Sequence, residues 1–308
     1  MRYPEKLEKH VVPKYNYLTT FPTRNDNHED GYFVHAFYHD KTQYPLLMHT
    51  HDYYELNIVT DGVGRHYIEN NYVDSKKGSV FVIPPNIMHG YYNGVNLEIF
   101  QLALSDSFMT KFSKELKSFA GYSMLFEIEP ILRKSFNEEF FLSLTNDEMK
   151  AILPELNGLV ACKNIVYPGI TTLKNAKALS IIGSLTYLIH QKKQTIEHNQ
   201  PAIKNLIKSV EFIHQNYMEK IHVQDLAEMC FMSYTSFSRY FKKAFDMSPS
   251  DYIMAYRIKM AKFLLDNTEK TVSQIAQECG FFDQSHFALY FYKIEKVTPA
   301  QYRRNKRL

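Results

Sequence analysis

The stretch TVSQIAQECGFFDQSHFALYFYKIEKVTPAQYR, from Thr271 to Arg303, decides the fold of the C-terminal third of the chain. Its apolar residues fall at helical spacing in two short runs: Val272, Ile275, Ala276 and Cys279, and then Phe287, Tyr290, Phe291 and Ile294. Between the runs, Gly280 can end the first helix with a positive φ, and Asp283 can cap the second helix. Two short amphipathic helices joined by a tight turn predict a helix-turn-helix unit.

The same pattern occurs once more, about fifty residues earlier in the chain. The equivalent residues, 49 positions apart before the turn and 50 after it, are Leu226 and Ile275, Ala227 and Ala276, Cys230 and Cys279, Phe237 and Phe287, Phe241 and Phe291, Pro249 and Pro299, and Tyr252 and Tyr302. A repeat that keeps its apolar positions is a duplicated structural unit. The run that begins at Pro249 predicts a helix long enough to join the two copies rigidly.

Residues 203–304 resemble the paired helix-turn-helix DNA-binding domain of AraC/XylS-type transcription regulators. The motifs that carry the resemblance are Leu226-Ala227, Met232-Ser233, Phe237-Ser238-Arg239-Tyr240-Phe241-Lys242-Lys243, Ser248-Pro249, Ile275-Ala276, Cys279-Gly280-Phe281, Ser285-His286-Phe287, Thr298-Pro299 and Tyr302-Arg303. The resemblance implies double-stranded DNA and RNA polymerase as partners. It leaves activation and repression of transcription open.

The charge of the chain is unevenly distributed. The 308 residues carry 36 Lys/Arg and 33 Asp/Glu, which gives a net charge of +3, and residues 201–308 hold 16 basic and 11 acidic side chains. The positive charge is therefore concentrated in the repeat domain, as phosphate binding requires. No apolar run approaches the ~20 residues of a membrane span, and three widely spaced cysteines indicate a reduced protein. Together these features predict a cytoplasmic protein without membrane association.

The N-terminal part predicts an antiparallel β-barrel. Alternating or aromatic-rich runs recur at about ten-residue spacing, at residues 31–39, 53–60, 64–69, 79–83 and 97–104. Asp61-Gly62 predicts a hairpin turn between the second and third runs.

A histidine-rich motif lies within this barrel. His49, His51 and Glu55 share parity, so on one strand their side chains would face the same side, and His89 follows on a later strand. The pattern resembles the cupin signature, with Asn86 where that family usually has Gly, and the segment also resembles the sensory domain of AraC-type regulators. The four positions coordinate a divalent ion in metal-binding cupins, and such a donor set suits Zn, Fe, Mn or Ni. A metal centre and a metal-free effector pocket both stay open, and no cofactor is certain.

Residues 106–195 are predicted to be helical, with a one-sided apolar stripe formed by Ala176, Leu179, Ile182, Leu185 and Ile189. The stretch from Met149 to Val160 is predicted to lie antiparallel to the helix that bears this stripe. The resemblance implies that these helices form a homodimer interface; packing of the stripe on the barrel is the alternative. The polar stretch at residues 195–201 ends in proline and predicts a linker.

The predicted fold is therefore multidomain. A cupin-like effector-sensing barrel at residues 1–105 is followed by a helical dimerisation segment at 106–194 and a linker at 195–201. An all-α AraC-type DNA-binding domain with two helix-turn-helix units then occupies residues 202–308.

The two copies are predicted to contact DNA unequally. In a helix-turn-helix unit the N-terminal half of the second helix enters the major groove. The predicted DNA-contacting residues are Tyr234, Thr235, Ser238, Arg239, Lys242 and Lys243 in copy one, and Gln284, Ser285, His286 and Leu289 in copy two. Arg239 can donate two hydrogen bonds to guanine, whereas Leu289 at the equivalent position can only touch a thymine methyl. Lys242 and Lys243 suit phosphate contacts, so copy one is expected to dominate affinity.

These observations predict a ligand-responsive, sequence-specific DNA-binding transcription regulator. A metal-dependent cupin enzyme fused to a DNA-binding module is the alternative, and an architectural DNA-binding protein with a dimerising barrel is a third interpretation. The chain offers no further catalytic constellation, which favours a regulator over an enzyme. Its effector is expected to be a small molecule, and a tyrosine-rich polar barrel suits a sugar.

Overall fold

The computed structural model describes residues 33–39, 46–69, 71–135, 142–199 and 201–306. Contacts within the chain divide it into two compact units, with the division after Lys192. None of the helices in the described ranges combines the length and the apolar character that a membrane span requires.

The described strands of the N-terminal unit form one antiparallel sheet. They are β1 (Val34–His39), β2 (Leu46–His49), β3 (Tyr54–Ile68), β4 (Asn71–Lys76), β5 (Val80–Ile83) and β6 (His89–Leu104). The strand order is β1-β6-β3-β4, with β2 also paired to β6 and β5 to β3. The long strands β3 and β6 pair from one end to the other, with Tyr54 opposite Leu104 and Ile68 opposite His89. The predicted antiparallel fold class is confirmed.

The predicted hairpin at Asp61-Gly62 is wrong, because β3 runs through these residues without a break. Gly62 has a φ of +73°, and the register between β3 and β6 shifts on both sides of Asp61. A Cβ atom at Gly62 would lie 2.2 Å from the backbone oxygen of Asn96. The glycine therefore permits a β-bulge inside one long strand and not a turn between two strands.

The bulge changes which side chains of β3 enter the interior. Before it, Glu55 and Asn57 are buried at odd positions; after it, His66 and Ile68 are buried at even positions while Arg65 and Tyr67 are partly exposed. Glu55 and Asn57, before the bulge, and His66, after it, therefore face the same interior. Without the bulge, strict alternation along the strand would place odd and even positions on opposite faces.

The region after the sheet is helical, as predicted. Its elements are α1 (Asp106–Lys111), α2 (Ser113–Ser118), a π-helical turn (Met124–Ile128), α3 (Glu129–Ser135), α4 (Asn146–Val160), a 3₁₀ turn (Ala161–Asn164) and α5 (Ile170–Asn199). Helices α4 and α5 are antiparallel, since Glu155 accepts hydrogen bonds from Ser180 and Ser184 while Lys192 pairs with Glu148.

The apolar stripe of α5 is buried inside this chain. Ile182 and Leu185 are fully buried and Ile189 nearly so, and Gly183 lies against the ring of Phe119. Ile182, Leu185 and Ile189, which were predicted to contribute to a dimer interface, are therefore already covered within the chain. Ala176, at the start of the stripe, is exposed. Dimerisation stays a prediction.

The C-terminal unit is helical throughout its described part. Its helices are α6 (Pro201–Asn216), α7 (Val223–Met229), α8 (Tyr234–Phe245), α9 (Pro249–Asn267), α10 (Val272–Glu278), α11 (Gln284–Glu295) and α12 (Pro299–Lys306). Residues 195–199 of the predicted linker differ from expectation, because their backbone continues helix α5 to Asn199.

The two helix-turn-helix units are α7–α8 and α10–α11, and the predicted cap at Asp283 and positive φ at Gly280 are confirmed. The side chain of Ser233 accepts from the backbone N–H of Ser236 at the start of α8. Asp283 accepts from the N–H of His286 at the start of α11, and Gly280 has a φ of +74°. Ile294 is the exception to the predicted core: it is 42% exposed, because α11 ends one residue later.

Helix α9 joins the two units and is held by a buried arginine. The side chain of Arg257 donates to the backbone oxygens of Tyr217 and Glu219, at 2.8 and 2.7 Å. The turn of the second unit contacts the same segment, because Gly280 packs directly against the backbone oxygens of Tyr217 and Met218. The segment that follows α6 therefore contacts both the connecting helix and the turn of the second unit.

Candidate functional site

The predicted histidine cluster converges inside the N-terminal sheet. His49, His51, Glu55 and His89 are all buried, with at most 7% of each residue exposed. Nε2 of His51 lies 3.3 Å from Oε2 of Glu55, and Nε2 of His89 lies 3.5 Å from Oε1. The rings of His49 and His89 are 4.3 Å apart between centroids. The four side chains thus occupy one small polar volume.

Their arrangement on the chain differs from the expectation of one shared strand. His49 is the last residue of β2, His51 lies in the connection that follows, Glu55 belongs to β3, and His89 begins β6. The chain bends between His49 and Glu55, and this bend brings the carboxylate to the histidines. Alternation of side chains along a single strand does not.

The donor set fits a divalent cation. Ligand atoms of His49, Glu55 and His89 lie within 4.8 Å of one another. Nδ1 of His51 bonds the backbone oxygen of Tyr53, and Nδ1 of His89 bonds that of Ile87, at 2.8 and 3.0 Å.

Since a carbonyl oxygen only accepts, Nδ1 of His51 and Nδ1 of His89 both carry protons, and Nε2 of each ring faces the carboxylate of Glu55. Nε2 of His51, Nε2 of His89 and Oε2 of Glu55 are buried atoms without a hydrogen-bond partner among the described residues. An imidazole nitrogen that faces a carboxylate oxygen needs a proton or a metal ion between the two atoms. Histidines that donate their second N–H to a carbonyl are also the arrangement that orients metal ligands. His49, Glu55 and His89 could hold the ion, with His51 against the other carboxylate oxygen.

The carboxylate is tuned by its histidine neighbours. Burial alone would raise the pKa of Glu55, but the neighbouring His51 and His89 side chains outweigh this and hold the pKa well below its ordinary value. Glu55 is therefore anionic, as a ligand of a cation must be.

Five further interior residues belong to this polar volume, and sequence reasoning missed them. The side-chain amide of Asn57 donates to Oε1 of Glu55 and to the hydroxyl of Tyr91, at 2.7 and 2.9 Å. The ring of His66 stacks on Tyr91 with 4.4 Å between centroids. Burial and the neighbouring Arg133 guanidinium hold the pKa of His66 well below its ordinary value.

Arg133 and Glu129, from α3, complete the set. Nε of Arg133 lies 3.1 Å from Oε1 of Glu129, and the guanidinium donates to the backbone oxygen of Val82. Burial raises the pKa of Glu129 to about 7, although Arg133 opposes the shift. The alternation of Glu55 and Asn57 on β3 could have indicated the first of the five; nothing in the sequence indicates that α3 sends an arginine into the sheet.

The second candidate site is the exposed face of α8 in copy one. Tyr234, Thr235, Arg239, Lys242 and Lys243 are exposed. The sixth predicted residue, Ser238, is partly buried, while the phenylalanines on the opposite face are fully buried. Among the ion pairs of the described residues, none involves Arg239 or Lys242. The face can therefore offer positive charge to phosphate or to a base edge.

The equivalent face of α11 in copy two has a different character. Gln284 and Ser285 are exposed, as predicted, whereas His286 is partly buried and its ring contacts those of Phe281 and Tyr290. Leu289 is 66% exposed and Tyr292 55% exposed, at the positions where copy one carries Arg239 and Lys242. The structure thus brings both predicted sets of side chains to one face of each recognition helix.

Two family models match the chain: an AraC-like ligand binding domain at residues 32–159 and a helix-turn-helix domain at residues 226–305. Together they cover more than half of it. The chain belongs to the AraC family of transcription regulators.

Other transcription regulators match the chain at low identity. The probable transcriptional regulator LumQ of Photobacterium leiognathi is 29% identical over 40% of this chain, which spans only half of LumQ. The HTH-type transcriptional activator RhaS of Mannheimia succiniciproducens is 25% identical over 83% of this chain and 88% of its own length. A crystal structure of the DNA-binding domain of AdpA in complex with a target DNA is 26% identical, with a TM-score of 0.33, over 33% of this chain and 93% of that chain.

These matches give the AraC-family chain a ligand-binding domain and a DNA-binding domain, and they indicate a transcription regulator and not an enzyme. The predicted family, fold class and general function are confirmed.

Proposed function

We propose that this regulator reads DNA mainly through copy one, with Arg239 as its principal base contact. The observation that carries this proposal is the difference between two equivalent, exposed positions, Arg239 on α8 and Leu289 on α11. A guanidinium donates two hydrogen bonds to guanine, worth about 1–3 kcal/mol of discrimination, whereas a leucine touches only a thymine methyl. Lys242 and Lys243 supply phosphate contacts, and Tyr234, Thr235 and Ser238 line the same approach. In copy two, Gln284, Ser285 and His286 join Leu289 in a weaker readout.

Titration of variants against a selected duplex and a random duplex, at two salt concentrations, tests this assignment. Arg239→Ala is expected to lose about 1–3 kcal/mol on the selected duplex and to relax the preference at one base pair. Lys242→Ala should weaken both duplexes almost equally and reduce the salt slope by about one. Leu289→Ala is the matched control at the equivalent position and should lose less. Equal losses of Arg239→Ala on both duplexes would make Arg239 a phosphate contact.

The interior cluster is proposed to hold a divalent metal ion on His49, Glu55 and His89, next to a small-molecule effector. The support is the fixed orientation of the His51 and His89 rings and their buried Nε2 atoms, which face Glu55 and have no hydrogen-bond partner among the described residues. Bound metal would supply positive charge for an oxygen atom of the effector. A sugar stays one candidate for the effector.

Elemental analysis of protein purified without chelator tests the metal site. About one equivalent of a transition metal is expected, and His89→Phe should lose it while keeping its fold. Less than about a tenth of an equivalent, with no recovery after Zn²⁺ or Mn²⁺ is added, would leave only the metal-free effector pocket.

The regulator is further proposed to act as a cytoplasmic homodimer that contacts RNA polymerase. Because Ile182, Leu185 and Ile189 of the stripe are covered within the chain, the dimer is proposed to use the exposed side of the same helix, where Tyr187 is 60% exposed. Sedimentation of the full chain at tens of micromolar, roughly the range in which weak interfaces appear, should show a dimer that Tyr187→Asp disrupts. A wild-type protein that sediments only as a monomer would contradict the proposal.

A further inference from the structure

Three buried side chains beside the proposed metal site of His49, Glu55 and His89 are not needed to ligate a metal ion. His66, Arg133 and Glu129 are at most 3% exposed. Burying charged groups is costly even when they pair, and apolar side chains of similar volume often stabilise a core better. Their position next to the cluster therefore calls for a reason other than the stability of the fold.

Arg133 determines which nitrogen of His66 carries the proton. Nη1 of Arg133 lies 3.4 Å from Nδ1 of His66. A guanidinium can only donate hydrogen bonds, so Nδ1 must accept. An imidazole that accepts at Nδ1 carries its proton on Nε2. Arg133 thus presents His66 as a donor through Nε2 and prevents it from acting as a metal ligand through that atom.

The orientations of both side chains are fixed by their neighbours. Glu129 pairs with Nε of Arg133, the backbone oxygen of Val82 accepts from the guanidinium, and the guanidinium carbon lies 5.1 Å from the centroid of the Phe81 ring. The ring of His66 lies nearly parallel to that of Tyr91, with 9° between the planes. Rotation of the imidazole would break these contacts, so the donor direction is set in advance.

The donor lies on the side of the sheet that carries the cluster. His66 is paired with Tyr91 across β3 and β6, and Tyr91 is two residues from His89, so the three side chains share one face. The rings of His66 and His89 are 6.1 Å apart and nearly perpendicular. Nε2 of His66 is fully buried and has no hydrogen-bond partner among the described residues. A buried N–H group without an acceptor is destabilising, and an incoming ligand oxygen would remove that cost.

The charge of the interior indicates the kind of ligand. Glu55 and Glu129 are acidic and Arg133 is basic, so with both carboxylates ionised a divalent ion leaves one positive charge uncompensated. If Glu129 is protonated, the excess is larger. Because an uncompensated buried charge is costly, a ligand with a negative charge is favoured over a neutral one.

We propose that the interior binds a small carboxylate-bearing effector, and that His66 donates from Nε2 to one of its oxygens while Arg133 acts as the positioning residue that holds His66 in this form. This rests on the proposed metal site at His49, Glu55 and His89. It assigns the effector to small organic acids and not to neutral sugars.

The test uses the full-length protein loaded with Co²⁺, with acetate as the probe and the visible absorbance of the metal as the readout. The wild type should bind about one equivalent of Co²⁺, and acetate should then shift the spectrum, whereas glucose should not. His66→Phe keeps a ring to stack on Tyr91 but has no N–H. Its Co²⁺ affinity should stay within about threefold of wild type, and its affinity for acetate should fall about tenfold, as expected for one charge-assisted hydrogen bond. His66→Gln restores a donor and should regain part of the loss, and His190→Phe, on the exposed surface of α5, is the matched control.

A second variant leaves His66 in place. Arg133→Met combined with Glu129→Gln removes the pair without leaving one buried charge alone, and it releases the constraint on Nδ1. Acetate affinity should again fall, by about threefold to tenfold, with Co²⁺ still bound. If His66→Phe does not fold, the double variant alone tests whether His66 contributes to acetate binding.

The outcomes separate the two proposals. A wild type that binds no Co²⁺ contradicts the metal site, and this proposal with it. Bound Co²⁺ with unchanged acetate affinity in His66→Phe and in the double variant refutes the role of His66 alone. Loss of Co²⁺ from folded His66→Phe would make His66 a metal ligand, and a spectral response to glucose but not to acetate would show the ligand class to be wrong.

Discussion

Gly280 and Phe231 occupy the same position in the turns of the two helix-turn-helix units, and they predict opposite effects of substitution. Both have a positive φ, +74° and +55°, and both N–H groups bond the carbonyl three residues earlier. Their surroundings differ. A Cβ atom on Gly280 would lie 2.6 Å from the backbone oxygens of Tyr217 and Met218, whereas Phe231 is 90% exposed.

The magnitudes follow from these contacts. Gly280→Ala should cost about 1–2 kcal/mol for the left-handed conformation and about 1–3 kcal/mol for forcing the backbone apart, hence about 2–5 kcal/mol in total. Phe231→Gly relieves the same conformational strain and loses almost no packing. The extra freedom of glycine in the unfolded chain offsets about 0.4–1 kcal/mol of this, so a net gain of about 0.5–1 kcal/mol is expected.

Hydrogen exchange of the full-length chain, followed by mass spectrometry of peptides from each unit, measures both effects locally. Gly280→Ala should speed exchange in α10 and α11 more than tenfold, and Phe231→Gly should slow it in α7 and α8. Phe231→Ala keeps the strain and serves as the control, with exchange near that of wild type. Exchange within threefold of wild type in Gly280→Ala, or equal protection in Phe231→Ala and Phe231→Gly, would refute the reasoning.

Three further predictions concern stability. Arg257→Met should lower the free energy of unfolding in denaturant by about 2–4 kcal/mol, because two buried carbonyls lose a charged donor. Arg257→Lys should recover little of this loss, since one ammonium group cannot replace the two N–H groups of a guanidinium that donate in different directions. Glu129 binds its proton more tightly in the folded chain, where its pKa is about 7, than in the unfolded chain; its contribution to stability is therefore lost as pH rises from about 4.5 to about 7. The stability of the wild type relative to Glu129→Gln should fall over that range, and a flat difference would contradict the shift. Removal of metal by a chelator should lower the unfolding free energy of the wild type, by about 2.7 kcal/mol if free metal stood at a hundred times its Kd, and should leave His89→Phe unchanged.

The helical repeat was predictable from the sequence because its signals are local. The caps at Ser233 and Asp283 and the glycine at position 280 each act within one turn of the chain, so residue type and spacing are sufficient to place them. The duplication gave a second, independent example of the same helix-turn-helix pattern. Both recognition helices end in the left-handed conformation, at Asp246 and Lys296, with φ values of +56° and +60°.

The sheet and its interior were only partly predictable because their arrangement depends on long-range pairing. The bulge near Gly62 requires the backbone of Asn96, more than thirty residues away, and local sequence read it as a turn. The histidine cluster was recognised as a set, but its convergence across β2, β3 and β6 depends on strand register. Arg133 comes from a helix whose sequence shows no sign that this side chain would be buried.

The apolar stripe of α5 shows a different limit of sequence reasoning. Periodicity identifies a face that must be covered, but it does not say whether the cover is the same chain or a second copy. Here Ile182 and Leu185 are covered by the chain itself.

The central claim is that one chain reads DNA through two unequal recognition helices held at a fixed spacing. Selection of bound sequences from a random duplex library with the full-length protein tests it most directly. Two preferred blocks about one helical turn apart, roughly 34 Å, are expected, one with a strong guanine preference that Arg239→Ala removes and one weaker and richer in thymine. Two blocks of equal strength, a guanine preference that survives in Arg239→Ala, or no enrichment at moderate salt would contradict the account.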